Sequence, residues 1–251
     1  MMFRSIAPLV ALLVALGPGC ITATHQEQAA SRAQLGQAYL REHNPSGAVK
    51  VLEEAVELDR YNYNAWQNLA LAYMSQGVYE EAELAFNKAI RLAPEKGEIH
   101  NNYGLLLLNR DRRAEAITQF ELALKDLSYR SPAMVMSNLG YALYLEGRHI
   151  EAQSHLTEAL RRAPTLCQAR LNRGLVYVAT SDADLALGDF QDVIDSCGTD
   201  LPSAYLHASE LMLSQGDVYG GCTYLSELSQ ADPHSPLGRK AREARARSCQ
   251  R

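Results

Sequence analysis

The sequence predicts an all-α protein in which six pairs of helices stack as a solenoid and a further helix caps the C-terminal end. Three observations predict this fold. Small residues recur along the chain with spacings of 12 and then 7 residues, for example at Ala70, Ala82 and Ala89. The pattern returns about every 34 residues, which accommodates two helices and their turns. The composition, 47% hydrophobic and 21% charged, suits a chain that buries a large core.

The same spacing marks each repeat in order. Small side chains at these positions allow the two helices of a pair to cross closely. Repeat starts fall near Ala29, Tyr63, Gly97, Ala133, Cys167 and Pro202, so we expect six repeats over residues 29–235. The marker residues are Gly36/Ala48/Ala55, Ala70/Ala82/Ala89, Gly104/Ala116/Ala123, Gly140/Ala152/Ala159, Gly174/Ala186/Val193 and the degenerate Ser209/Gly221/Leu228.

Helix ends are also marked in the sequence. Gly77 and Gly147 follow first helices, where glycine serves as a left-handed C-terminal cap. Pro94, Pro164 and Pro233 follow second helices, which proline does not continue. The predicted elements are therefore short helices joined by tight turns.

Large side chains occupy positions between the small ones. In the second repeat these are Trp66, Leu69, Tyr73 and Phe86, which we expect to fill the space between neighbouring helices. The combined pattern resembles the tetratricopeptide repeat (TPR). That resemblance implies a right-handed superhelical solenoid of six TPR helix pairs plus the C-terminal capping helix.

The capping helix is predicted over residues 236–251. It is strongly basic, with six cations, Arg239, Lys240, Arg242, Arg245, Arg247 and Arg251, against the single Glu243. Two interpretations stay open. The segment is either a polar cap for the end of the solenoid, which such arrays need for solubility, or a basic surface for anionic lipid or an acidic partner.

The N-terminus has the pattern of an export signal. Arg4 precedes an uncharged apolar run, residues 6–16, which is too short to span a membrane. Gly17-Pro18-Gly19-Cys20 follows and resembles the lipobox of bacterial lipoproteins. The resemblance implies that residues 1–19 are a lipoprotein signal and that Cys20 carries a covalent N-acyl diacylglycerol lipid. Residues 20–28 would then form the lipidated N-terminus and a short linker; a plain cleaved signal is the alternative.

Four further cysteines, in a chain with an export signal, predict disulfides. Three connectivities are possible. Cys167 begins the first helix of the fifth repeat and Cys197 ends its second helix, so these ends meet in an antiparallel pair. Cys222 lies early in the sixth second helix and Cys249 late in the capping helix. We therefore predict the pairs Cys167–Cys197 and Cys222–Cys249, with a structural role, since no C-x-x-C redox motif is present.

The sequence carries no recognisable catalytic pattern. None of the seven histidines is paired at the i, i+4 spacing of a zinc protease, and neither a P-loop nor a G-x-S-x-G elbow is present. The net charge of −5 argues against nucleic acid as the main partner. We therefore predict a protein that is not an enzyme and that binds no metal, cofactor or small-molecule substrate.

Protein binding remains, and in TPR arrays the first helices of the repeats line the binding groove. By that resemblance, Gln67, Asn101, Tyr141 and Tyr144 are among the positions that face the groove, in addition to the residues that we predict to bind the partner. A mostly apolar, methionine-containing groove suits an amphipathic helix or an extended apolar peptide. For Leu71, Leu105 and Leu108, an equal alternative is that the side chain only fills space between neighbouring repeats. The predicted partner-binding groove consists of Ala33, Gln37, Leu40, Leu71, Met74, Leu105 and Leu108.

Two local marks point to a particular family. They are Asn101-Asn102-Tyr103-Gly104 at the start of the third repeat, and the insertion Tyr129-Arg130-Ser131-Pro132 before Asn138-Leu139-Gly140. Together with the lipobox and six repeats, they resemble the type IV pilus pilotins PilF, PilW and Tgl, with a length that suits Tgl. The resemblance implies an outer-membrane lipoprotein, facing the periplasm, that promotes localisation and multimerisation of the secretin PilQ for pilus assembly and gliding motility.

By resemblance to bacterial lipoproteins, Ile rather than Asp at residue 21 favours sorting to the outer membrane. A second hypothesis is a TPR lipoprotein scaffold for outer-membrane assembly or envelope polymer export. A third is a peptidoglycan-associated structural protein, although the sequence has no glycan-binding signature.

Overall fold

The computed structural model describes the backbone of residues 18–249 and the side chains of residues 24–249. Over this range the chain forms thirteen α-helices and one short 3-10 turn, with no strand. The predicted signal up to residue 17 and the side chain of Cys20 lie outside the described part. The all-α fold class built from helix pairs is confirmed.

The chain divides into two compact units, residues Met1–Ala93 and Pro94–Arg251. In the first unit α1 packs against α2, α3 against α4, and both α1 and α2 contact α3. Its apolar core includes Leu52, Val56 and Leu69, with Tyr39 and Trp66 packed against it. Its helices are α1 (Pro18–Arg41), α2 (Pro45–Leu58), α3 (Tyr63–Ser75) and α4 (Tyr79–Leu92).

The second unit holds four further helix pairs and a final helix. Consecutive helices pack on one another, and α7 also contacts both α5 and α9. A 3-10 turn, Gly198–Asp200, follows the third of these pairs. The helices are α5 (Gly97–Asn109), α6 (Arg113–Ala123), α7 (Pro132–Leu145), α8 (His149–Arg162), α9 (Cys167–Ala179), α10 (Ala183–Cys197), α11 (Ser203–Ser214), α12 (Val218–Ala231) and α13 (Pro236–Ser248).

The N-terminal helix differs from the expectation of a linker over residues 20–28. Helix α1 begins at Pro18 and runs without interruption to Arg41. The physical reason lies in composition: between Cys20 and Ala29 there is no glycine or proline, and Ala, Gln and Glu favour helix. Cys20 therefore belongs to the first turn of α1.

The small residues lie where the two helices of a pair cross. Ala48, Ala82, Ala116, Ala152 and Ala186 are fully buried. In four of these pairs the first helix has a glycine at the crossing, which leaves room for a large side chain from the second helix. A β-carbon on Gly174 would lie 2.5 Å from Phe190 Cε1, and one on Gly140 would lie 2.5 Å from Leu156 Cγ. Both distances are shorter than real β-carbon contacts, so a side chain at either position would have to displace Phe190 or Leu156.

The predicted helix ends are confirmed. Gly77 and Gly147 each follow a first helix with φ of +75°, a conformation that favours glycine. Pro94, Pro164 and Pro233 each lie two residues beyond the end of a second helix, α4, α8 or α12. The chain therefore reverses direction where the sequence indicates.

The loop between α6 and α7 is attached to the start of α5 by Asp126, which precedes the insertion at residues 129–132. Asp126 Oδ2 accepts a hydrogen bond from the Gly97 backbone N–H at 2.9 Å. Its Oδ1 accepts bonds from the Ser128 hydroxyl at 2.6 Å and the Ser128 backbone N–H at 2.9 Å. Because these donors stabilise the carboxylate, with the Ser128 hydroxyl contributing most, they lower the pKa of Asp126 to about 2.

The helix crossing gives a matched pair of substitutions in one repeat. Gly174→Ala places a methyl group against the buried Phe190, and we expect it to lower the free energy of unfolding by about 1–3 kcal/mol. Gly188 is in the middle of α10, and a β-carbon added there would contact no neighbouring atom within 4 Å. Gly188→Ala should therefore raise the free energy of unfolding by about 1 kcal/mol through helix propensity. Urea unfolding measures both; equal effects would contradict close packing at the crossing.

The Asp126 contacts predict an acid-sensitive part of the stability. Since the folded-state pKa is lowered from 3.8 to about 2, the unfolded chain binds more protons in this range. The stability from Asp126 is complete above pH 4 and disappears as the pH falls to about 2. Asp126→Asn should therefore be less stable than the parent at pH 7 and indistinguishable from it below pH 2. A constant difference across that range, in pH-dependent thermal unfolding, would contradict the assignment.

Candidate functional site

The predicted groove positions of the first unit differ in their exposure. Gln37 is exposed, and Leu71 and Met74 are half-buried on α3. Ala33 is only 5% exposed and belongs to the core that packs α1 on α2, so it offers no surface to a ligand. Leu40 is half-buried and packs against the same core. In this unit the accessible part of the predicted groove is therefore Gln37, Leu71 and Met74, with one edge of Leu40.

A second part of the prediction falls in the second unit. Leu105 and Leu108 are half-buried on α5. On the neighbouring α7, the rings of Tyr141 and Tyr144 stack with centroids 6.2 Å apart. The His149 ring, at the start of α8, lies 5.9 Å from Tyr144. This face is thus apolar on α5 and aromatic on α7.

One repeat position recurs on these faces, four residues after the small residue of each first helix. We call the residues at this position the first-helix stripe: Leu40 and Met74 in the first unit, and Leu108, Tyr144 and Val178 in the second. Val178 is 46% exposed and had not been predicted as a groove residue. The repeat register would have found it, since it follows Gly174 as Tyr144 follows Gly140.

Two polar residues expected in the groove have a structural role instead. Gln67 and Asn101 are each 4% exposed. Asn101 Oδ1 accepts a hydrogen bond from Asn138 Nδ2 at 3.0 Å, which joins α5 to α7. In the same way, Asn172 Nδ2 on α9 donates to Ser137 Oγ on α7 at 3.4 Å, which joins α7 to α9. Buried amides need such partners, so Asn101 and Asn172 connect helices, while Gln67 is too buried to offer a surface to a ligand.

An apolar cavity lies on another side of the first unit, between α3 and α4. Its volume is about 400 Å³, and Trp66, Leu69, Tyr73 and Leu84 line it. Leu84 is 67% exposed at its edge. The Tyr73 hydroxyl donates to Glu53 Oε1 at 2.7 Å. Burial, and next this carboxylate, raise the pKa of Tyr73 to about 12, so the phenol remains protonated. Leu69 is buried in the core of this unit, and Trp66 and Tyr73 pack against that core, as the sequence predicts.

The four C-terminal cysteines form two disulfides. Cys167 is bonded to Cys197, with Cα atoms 6.6 Å apart, and this bond joins the start of α9 to the end of α10. Cys222 is bonded to Cys249, with Cα atoms 5.9 Å apart, and fixes the end of α13 to α12. These are the pairs for which antiparallel helix geometry brings the ends together.

Two searches of the described residues returned nothing. Within them, no group of three or more His, Cys, Asp or Glu side chains is arranged to hold a metal ion. None of the helices described is both long and apolar enough to cross a bilayer.

The paired helices, their small crossing residues and the exposed stripe define a tetratricopeptide-repeat protein. Residues 20–194 match the family model described as the cilia and flagella-associated protein 70 C-terminal domain. Because this match covers more than half of the sequence, the chain belongs to that family.

Two bacterial proteins are similar in sequence. An uncharacterized protein of Haemophilus influenzae is 31% identical over 138 residues, covering 55% of this chain and 76% of its own length. The type IV pilus assembly protein PilF of Pseudomonas aeruginosa is 28% identical over 189 residues, 71% of each chain. The chain is thus related to the PilF type of pilus biogenesis protein.

The crystal structure of PilW, a widely conserved type IV pilus biogenesis factor, has the same fold. It superposes with a TM-score of 0.78 at 24% identity, covering 84% of this chain and 97% of PilW. At this level of identity the likeness concerns the fold, and it agrees with the helix pairs described above.

The disulfides predict a stability difference. Each bond closes a loop of about 30 residues, for which loop entropy gives about 3–4 kcal/mol. The paired substitution Cys222→Ala with Cys249→Ala should therefore lower the unfolding midpoint and loosen α13, measured by hydrogen exchange. Non-reducing peptide mapping should recover Cys167–Cys197 and Cys222–Cys249; a Cys167–Cys222 peptide would contradict the arrangement.

Proposed function

We propose that this chain is an outer-membrane lipoprotein pilotin, of the type of Tgl, which binds subunits of the secretin PilQ. Binding promotes their localisation and multimerisation in the outer membrane, and so supports type IV pilus assembly and gliding motility. The observation that carries the proposal is the similarity to PilF over 71% of each chain. An exposed, partly apolar stripe on rigid helices supports a role in protein binding.

In this proposal the chain is anchored through lipid on Cys20 and faces the periplasm. Several acyl chains on one residue exceed the two attachment signals that stable anchoring requires. Anchoring confines the protein to the membrane in which the secretin inserts, and it raises the effective concentration of both partners. A modest affinity between the helix face and the secretin is then sufficient. The lipid is the one covalent group involved, and no cofactor takes part.

The contact surface we propose in the first unit is Met74 of the first-helix stripe together with the neighbouring predicted groove residue Leu71. Met74 and Leu71 are half-buried on α3, so their backbone is held by the core while part of each side chain faces outward. A rigid apolar surface loses little conformational entropy on binding, and methionine adapts to different partner shapes. An amphipathic or apolar segment of PilQ matches this chemistry.

Gene deletion tests the cellular function directly. We expect heat-resistant PilQ multimers to disappear in the deletion strain while PilQ monomers persist, since the pilotin acts after secretin synthesis. Complementation with the native gene should restore multimers, whereas Cys20→Ser should not. Unchanged multimers in the deletion strain would contradict the pilotin role and favour a scaffold for another envelope system.

A pair of substitutions in the first unit tests the proposed surface. Met74→Asp places a charge in the stripe, where a partner would have to desolvate it, and capture of PilQ should fall at least about tenfold. Leu84→Asp makes the same kind of change at a residue 67% exposed on α4, and capture should stay within about twofold. Leu40 is unsuitable, because it packs on the core. Co-purification from membranes measures capture.

Thermal unfolding of both variants provides the control for folding. Equal loss of capture by Met74→Asp and Leu84→Asp, at unchanged melting temperatures, would place the contact elsewhere.

A further inference from the structure

Helix α13 has two chemically different sides. Toward the body of its unit, Ala241 is fully buried and Gly238 is buried as well. Leu237 and Ala244 are half-buried and pack against the core formed by α9 to α12. On the other side, five cations and one carboxylate lie along thirteen residues, and all six are exposed: Arg239, Lys240, Arg242, Glu243, Arg245 and Arg247.

These cations have no carboxylate partner, whereas several other arginines of the unit do. On α8, Arg148 pairs with Glu151, and Arg161 and Arg162 both pair with Glu158. On α13, Arg239 and Arg242 donate instead to the backbone carbonyls of residues 234 and 233. Among the residues described, none of the α13 cations lies within ion-pair distance of a carboxylate. A chain of net charge −5 thus concentrates unneutralised positive charge on one short helix.

The basic side is held in a fixed position. The Cys222–Cys249 disulfide fixes the C-terminal end of α13, and the buried Ala241 holds its middle. At the other end Ser235 Oγ accepts from the Gly238 N–H at 2.9 Å and caps the helix. The cations are therefore presented as one preorganised surface about 20 Å long, at 1.5 Å per residue, and binding requires little ordering of the backbone.

An exposed apolar pair lies next to the end of this surface. Tyr219 is 87% exposed and Val218 is 47% exposed, in the first turn of α12. They precede Cys222 by three and four residues, so they share its helix face and point toward the side on which α13 ends. A tyrosine beside a row of cations is the arrangement of surfaces that rest at the headgroup level of a bilayer.

We infer that α13, with Tyr219 and Val218, is a binding surface for anionic phospholipid headgroups. Arginine binds phosphate oxygens in bidentate geometry, which suits a headgroup layer. Protein interfaces depend on clustered aromatic and aliphatic anchors at their centre. Among the described residues of α13, no large apolar side chain is exposed. The basic side of the helix therefore offers a partner charged groups and no apolar anchor. The inference needs no lipid on Cys20 and is independent of the proposed secretin partner.

Vesicle binding by the full chain carrying Cys20→Ser tests this surface without any contribution from acylation at that residue. We expect sedimentation with vesicles of equal parts phosphatidylglycerol and phosphatidylcholine, little with phosphatidylcholine alone, and a steep decrease with salt. Lys240→Gln with Arg247→Gln removes two cations that make no hydrogen bond within the described structure. Binding should then weaken about 25-fold, about fivefold for each cation.

The matched control is Arg161→Gln with Arg162→Gln on α8, which changes the net charge by the same amount at an exposed site of the same unit. Its binding should stay within about twofold of the parent, because these arginines lie on α8, outside the proposed surface, and Glu158 already offsets part of their charge. Tyr219→Ser should weaken binding several-fold at both low and high salt.

Three results would overturn the inference. The first is equal binding to the two kinds of vesicle, and the second is equal weakening in the two double variants. The third is binding to soluble poly-glutamate with none to anionic vesicles, which would assign the helix to an acidic protein partner instead.

Discussion

The close crossing of two helices at a small residue is the contact on which the rest of the fold depends. At Gly36, Gly104, Gly140 and Gly174 the second helix inserts Leu52, Phe120, Leu156 or Phe190 into the space that a side chain would occupy. These four large residues are fully buried. Because each crossing fixes the distance and rotation of its pair, it also determines which side of the first helix faces outward. The first-helix stripe is a consequence of this packing.

Function, as we propose it, uses what the crossing leaves exposed. In the first unit this surface is Met74 of the stripe with the neighbouring Leu71, and in the second it is the stripe residues Tyr144 and Val178, each on a helix held by the core of its own unit. Such surfaces select partners by apolar contact rather than by an enclosed pocket. Helix α13 adds a positively charged surface at one end of the second unit. The apolar first-helix stripe and the basic side of α13 are therefore two separate surfaces of one chain. Each can be removed by substitution without disturbing the other.

Sequence reasoning reached the architecture because its signals are local and repeated. The 12 and 7 spacing predicted the helix pairs, and Gly77, Gly147 and the prolines predicted the ends. The exposure of single groove residues was beyond it. Ala33 and Asn101 occupy groove positions by register, yet Ala33 is buried in the core of the first unit and Asn101 is buried and hydrogen-bonded to Asn138 on α7. Asp126 was missed because its partner Gly97 is 29 residues away and no local pattern connects them. The helix before Ala29 was missed because a lipid-anchored linker was expected there, although nothing in the residues breaks a helix.

Site-specific photo-crosslinking in living cells tests the central claim most directly, namely that the first-helix stripe contacts the secretin. A photoreactive amino acid placed at Met74 or Tyr144 should give covalent adducts with PilQ. The same amino acid at Leu84 on α4 or Ile150 on α8 should give none, because both residues are exposed on second helices and do not belong to the stripe. Adducts from Leu84 or Ile150 with none from the stripe would contradict the account, as would adducts from the stripe to proteins other than PilQ.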